Sequence, residues 1–222
     1  MQRFRAAAPA VALRLSEMRG VPDRVRGGAG TKGDGIAMNA LQHIVRIQDL
    51  LEDWRALGSL RLRNGVELIG RVPDADASVW MHVVFPRLRG EQLALLERQL
   101  GTSLPRSLRA FYGCCGGMNL FLGAFTLRGL RRPGFGLGSG ALQPEDIVGL
   151  NHELDGQGWK PRGAVAFAEN ALDLSVHLVG MGDRPEQVVR CERSTGRVLE
   201  RHEDVFACVD ARLYRLDELQ LR

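Results

Sequence analysis

Between residues 165 and 201 the chain carries four strand-like segments, 165–168, 172–179, 187–192 and 197–201, separated only by short connectors. A parallel pairing needs a crossover of about a dozen residues or more, so segments this close in sequence pair antiparallel. Ser194-Thr195-Gly196 supplies the hairpin turn of the last pair. Within 172–179, Leu172, Leu174, Val176 and Leu178 alternate with Asp173, Ser175 and His177. That alternation predicts a buried apolar face and a polar row turned to solvent or to a partner.

Upstream, the period changes several times. Leu41, Ile44, Ile47, Leu51 and Trp54 recur at steps of three and four, one face of a helix over 40–57 that Gly58 stops. Residues 60–63 alternate, Asn64-Gly65 supplies the positive backbone angles of a tight hairpin, and 66–72 returns. Residues 73–78 read as loop and 79–85 as a strand ended by Pro86. Leu93, Leu96 and Leu100 mark a short helix closed by Gly101, and Pro105 opens a second whose inner face holds Leu104, Leu108 and Phe111. Gly116-Gly117 turns the chain into strands over 118–122 and 124–127, and a Gly-rich loop fills 128–143. Glu145-Asp146 starts a further helix, and Asp204 caps a last one carrying Val205, Val209, Leu213 and Leu216. Helices grouped before hairpin-linked strands define an α+β fold: a largely antiparallel sheet with flanking helices, preceded by a helix–hairpin segment.

The chain has 222 residues and a formal charge of +4 from 30 basic and 26 acidic groups. Residues 1–37 hold seven basic residues against Glu17, Asp23 and Asp34, which is the whole excess. The remainder is neutral, whereas a nucleic-acid binder shows a basic patch on its folded domain. No direct nucleic-acid partner is expected. Residues 1–37 are rich in Arg, Gly and Ala with few large apolar side chains, so they are expected to be a disordered tail. A signal peptide fits poorly, because Ala6 to Leu13 is broken by Pro9 and ended by Arg14; Glu17 and Asp23 count against a transit peptide. Translation beginning at Met38 is the favoured expectation, since a well-patterned helix starts there and only Lys32 and Lys160 are lysine, as in a GC-rich coding sequence. The expected division is therefore 1–37 tail, 38–89 helix and hairpin, and 90–222 main domain.

No stretch approaches the roughly 20 unbroken apolar residues of a membrane span, so no membrane partner is expected. Cys114, Cys115, Cys191 and Cys208 lack the spacing of a zinc site and read as reduced thiols, which places the chain in the cytoplasm.

Catalytic signatures fail on context. Gly134 to Ala141 contains a G-x-G-x-x-A spacing, but Arg131, Arg132 and Pro133 precede it where a buried strand is required. Asp173, Ser175 and His177 resemble a nucleophile triad by type. On one strand they would lie roughly 6.6 to 7 Å apart, too far for direct hydrogen bonds. His43, His82, His152, His177 and His202 include no pair at helical metal spacing. Glu145 with Asp146, and Glu203 with Asp204, sit at helix starts, where capping accounts for them. Glu169 and Asp173 bracket a turn at Asn170-Ala171 and could hold a cation or a basic partner. No enzyme, cofactor or metal is expected.

One set of motifs points further. Leu96-Glu97-Arg98-Gln99-Leu100-Gly101-Thr102-Ser103-Leu104-Pro105 is followed by Leu108, Phe111 and Gly116-Gly117, and then by Pro144-Glu145-Asp146-Ile147, Trp159, Val165-Ala166-Phe167-Ala168 and the strand at Asp173. Over residues 90–219 this order resembles the SUKH superfamily, the domain shared by yeast cell-wall-synthesis regulators and bacterial toxin-immunity proteins. The chain departs from the pattern at Cys115, where an Asn commonly precedes Gly-Gly, and in lacking a Gly-rich step between Glu169 and Asp173.

The resemblance implies a non-catalytic binding protein, an immunity protein that neutralises a cognate toxin domain such as a nuclease. Against a basic nuclease cleft it implies an acidic face, for which Glu145, Asp146, Glu153, Asp155, Glu169 and Asp173, with Ser175 and His177, are the candidate partner-binding residues. The alternative is an intracellular regulatory or scaffold module that docks through residues 40–85 and has no toxin partner.

Overall fold

The computed structural model describes residues 33–72, 79–131 and 142–220. The chain divides into two units, Met1–Ala37 and Met38–Arg222. Of the first, only the opening residues of helix α1 (Gly33–Arg55) are described. The expectations for the tail before residue 33, for the 73–78 loop and for the Gly134 to Ala141 motif fall outside the described residues.

Among its described residues the second unit is α+β, built on nine antiparallel strands whose spatial order is their chain order: β1 (Ser59–Arg61), β2 (Glu67–Arg71), β3 (Trp80–Val84), β4 (Met118–Leu120), β5 (Phe125–Leu127), β6 (Val165–Asn170), β7 (Ser175–Val179), β8 (Val188–Glu192) and β9 (Val198–His202). The helix–hairpin segment therefore continues the same sheet as the later strands: Val84 of β3 pairs with Met118 of β4. Helices α2 (Gly90–Leu100) and α3 (Arg106–Cys114) lie between β3 and β4, α4 (Ile147–Gly156) between β5 and β6, and α5 (Val205–Gln220) follows β9.

Local chemistry sets these boundaries. Gly101 adopts φ 66° at the end of α2, and Asp146 Oδ1 accepts the Val148 N–H at 3.0 Å to cap α4. Asp204 Oδ1 accepts from Ala207 N at 2.8 Å at the start of α5. The first hairpin differs from expectation: only Gly65 has positive φ, at 86°. Leu62 N donates to Val66 O and Gly65 N to Leu62 O, a three-residue loop with a glycine bulge, while Asn64 Oδ1 accepts from Val66 N.

The Gly-Gly turn brings backbones unusually close. A Cβ on Gly116 would lie 2.3 Å from Pro86 O, and one on Gly129 would lie 1.9 Å from Gly116 O. Only hydrogen fits at either crossing.

The central strands are covered on both faces. Val165, Phe167, Val179 and Val188 join the main core with residues of α1, α2, α3 and α5, including Leu51, Leu96, Phe111 and Val209. Ala166, Val176, Leu178 and Val189 form a second cluster with Leu150 and Leu154 of α4. Every residue of β7 is consequently buried.

This corrects the reading of 172–179. Ser175 and His177 are buried, so neither belongs to a polar surface row. Leu172 and Leu174, expected inside, are 66% and 70% exposed. The cause is a turn after Asn170 that delays the start of β7 to Ser175: Asn170 Oδ1 accepts from Leu172 N at 2.9 Å and Asp173 Oδ1 from Ser175 N at 3.1 Å.

Candidate functional site

In an up-and-down sheet the connections β4–β5 and β6–β7 fall at the same end. The two turns touch, because Ala171 N donates to Ala124 O at 2.9 Å. On them stand three leucines, Leu122, Leu172 and Leu174, each at least 60% exposed. Phe121, Leu122 and Leu174 have φ of 50°, 58° and 52°. Left-handed backbone is costly for residues with a Cβ and persists only where the surroundings impose it. Here Leu122 N is tied to Met81 O, and Leu174 O accepts from Arg193 N.

Behind the leucines lies a cleft of about 220 Å³ lined by Thr126, Arg128, Glu145, Glu169, Leu174 and Arg193, among others. Glu169, on β6, stands at its centre, with both carboxylate oxygens engaged, Oε2 by Arg128 and Oε1 by Arg193. Arg128 also pairs with Glu145 at 3.1 Å and donates to Asp146 O at 3.2 Å. Arg193 reaches both oxygens of Glu153 at 2.7 Å, and this hydrogen bond raises the guanidinium pKa against the opposing effect of desolvation. The result is a continuous chain of charge, Glu145–Arg128–Glu169–Arg193–Glu153, that ties the ends of β5 and β8 to β6 and α4.

The sequence-derived candidates separate into three groups. Glu145, Glu153 and Glu169 are brought together through Arg128 and Arg193, with Asp146 contributing its carbonyl and its cap. Asp155 lies apart and holds Lys160 at 3.0 Å. Asp173 binds Arg190 at 2.6 Å and accepts the Ser175 hydroxyl at 2.5 Å. That last contact was not expected from strand spacing, and it forms because Asp173 lies in the turn. It makes no triad: His177 sits in the core against Phe125 and Phe167. Burial, then the nearby Arg212, His202 and Arg190 charges, push its pKa well below the usual imidazole value.

Sequence reasoning missed Arg128 and Arg193, which turn an acidic face into a nearly balanced one. It also missed the three leucines, two of which, Leu172 and Leu174, alternate with polar residues and so mimic a strand. The available signal was Asn170 and Asp173 three residues apart, each with a side chain suited to bonding backbone two residues on. Among the described residues no group of three or more His, Cys, Asp or Glu could hold a metal ion, and no helix is long and apolar enough to cross a membrane.

Compared with known protein families and with curated proteins, the chain matches no family model and no curated protein.

Proposed function

We propose that this is a non-catalytic binding protein of the SUKH type, acting in the cytoplasm as an immunity protein that neutralises a cognate bacterial toxin domain. One observation carries the binding reading: three exposed leucines held on two contacting turns, two of them in left-handed backbone, beside a charged cleft. Apolar side chains presented to water at a conformational cost fit an interface centre, with ion-paired side chains forming its polar rim. The immunity reading rests on the motif order quoted above. Leu100, Gly101, Leu104 and Pro105 end one helix and start the next, and Gly116-Gly117 makes the close turn into the sheet, as that pattern requires.

The partner surface on this reading is narrower than the acidic row. It comprises Leu122, Leu172 and Leu174 with Glu145, Glu153, Glu169 and Asp173 at the rim, while buried Ser175 and His177 act only through the fold. The test is capture with the full chain as bait from cells expressing the neighbouring genes, read by mass spectrometry and by a toxicity assay. Recovery of one neighbouring toxin domain, with toxicity relieved by the bait, is the expected result. Recovery of housekeeping proteins alone would replace it with the regulatory-module reading.

A further inference from the structure

At the end away from Glu169, β6 opens on a second cleft. It holds about 370 Å³, in the range of small-molecule sites and larger than the cleft beside the turn leucines. Leu100, Gly101 and Thr102, at the C-terminal end of α2, form part of its wall, and His152 and Asp155 of α4 another part. Lys160 and Arg162, on the segment that leads into β6, also line it. The two clefts have no lining residue in common.

Lys160 has a side chain only 6% exposed. Its ammonium donates to Ala164 O at 2.7 Å and pairs with Asp155 at 3.0 Å. An ammonium has three N–H donors, so one is left without a partner on the wall of an open cleft. Arg162 and His152 are exposed, and neither side chain has a hydrogen-bond or ion-pair partner; nor does the Thr102 hydroxyl. The lining thus sets two cations against one carboxylate, and Lys160 already engages that carboxylate. At the end of α2 the chemistry reverses. The Leu100 and Gly101 carbonyls accept no hydrogen bond within the protein, as is usual for the last carbonyls of a helix.

We propose that this cleft binds a sugar phosphate. Arg162, the open N–H of Lys160 and a ring N–H of His152 take the phosphate. The Leu100 and Gly101 carbonyls and Thr102 Oγ1 accept from the sugar hydroxyls. A bare oxyanion satisfies only the first set, because it brings no row of donors for the carbonyls. A phosphorylated side chain of a protein has the same shortfall. The site is separate from the leucine-bearing turns and does not depend on their role.

The test is calorimetry on the full chain at physiological salt with glucose 6-phosphate and ribose 5-phosphate. Glucose, inorganic phosphate and a phosphoserine peptide are the comparisons. Saturable binding of at least one sugar phosphate is expected, at least about tenfold tighter than any comparison. Arg162→Ala should weaken it at least about tenfold, as loss of a charge-assisted hydrogen bond does, and His152→Ala by a smaller factor. Both positions are exposed and unpartnered, and circular dichroism confirms that the variants are folded. Thr102→Val should weaken the sugar phosphate and leave inorganic phosphate unchanged. Absence of binding at millimolar sugar phosphate overturns the site, as does affinity that survives Arg162→Ala. Inorganic phosphate binding as tightly as either sugar phosphate would overturn it as well, marking an adventitious ion only. Tighter binding of the phosphoserine peptide would assign the cleft to a protein partner instead.

Discussion

Trp54 Nε1 donates to Asp217 Oδ1 across 2.9 Å, joining α1 to α5 over 163 positions of chain. The same indole lies edge-on to His82, with ring centroids 5.2 Å apart, and to Phe121 at 5.9 Å. One side chain therefore ties the first described helix to the last and to the turn that bears Leu122. Trp54→Phe keeps the ring and removes the hydrogen bond, and should lower unfolding free energy by about 1 kcal/mol. Trp54→Ala removes both and should lower it by about 3 kcal/mol. Urea unfolding of the pair separates the two contributions.

His82 is fully buried beneath that indole, with Nδ1 accepting from Phe121 N at 3.4 Å and Nε2 without a partner. Burial pushes its pKa down to about 4. The unfolded imidazole titrates near 6.5, so below that pH the unfolded chain binds the extra proton. Stability is fully present above about pH 6.5 and falls as pH drops toward 4, by about 3 kcal/mol in all. His177 and His202, both also lowered chiefly by burial, act in the same direction. In urea titrations at pH 7 and pH 4.5, His82→Leu should lose less stability on acidification than the parent. An unchanged difference would remove His82 from the acid response.

Glu169 is 12% exposed between guanidiniums that are 18% and 32% exposed. Removing its charge leaves two partly buried cations facing one another across the cleft. Glu169→Gln should cost about 2 kcal/mol, less than a fully buried pair because Arg193 keeps Glu153 and some solvent. A double-mutant cycle with Arg193→Met measures the coupling. An additive cycle would mean that the two groups do not interact in solution.

How far the sequence carried depended on what the backbone needed locally. Gly101, Asp146 and Asp204 announced helix ends because their side chains, or the lack of one, act within a few residues. The order of strands after residue 165 followed from short connectors. What stayed hidden were consequences of layering. β7 was read as half-exposed because its residues alternate, yet α4 and α5 close over opposite faces of the sheet and make a polar His177 part of the core. Arg128 and Arg193 were invisible as a pair because Glu169, the group that unites them, is 41 and 24 positions away.

The backbone crossing at Gly116 gives a sharp contrast in mutational cost. An added Cβ would meet Pro86 O at 2.3 Å, and the receiving atom is backbone with nowhere to retreat. Gly123 has φ of 87° but open space around a would-be Cβ. Gly123→Ala should cost about 1 kcal/mol from backbone strain alone. Gly116→Ala should cost several times more, or prevent folding at 37 °C. Thermal melts of the two variants distinguish strain from collision, and similar melting temperatures would show that the crossing relaxes.

Leu174 brings stability and binding into opposition. It is 70% exposed and holds φ of 52°, a conformation that Asn tolerates better than Leu. Little packing is lost on substitution, so Leu174→Asn should raise unfolding free energy by about 0.5 to 1 kcal/mol. If the turn leucines form the centre of the toxin-binding surface, the same substitution should weaken partner capture at least about tenfold. Leu172→Ser, which relieves no strain, should weaken capture without the gain in stability. A strained residue kept at a net stability cost is expected where function requires the side chain. Should Leu174→Asn bind the partner as the parent does, the strained turn would be a device of the fold, and the binding surface would have to be sought elsewhere.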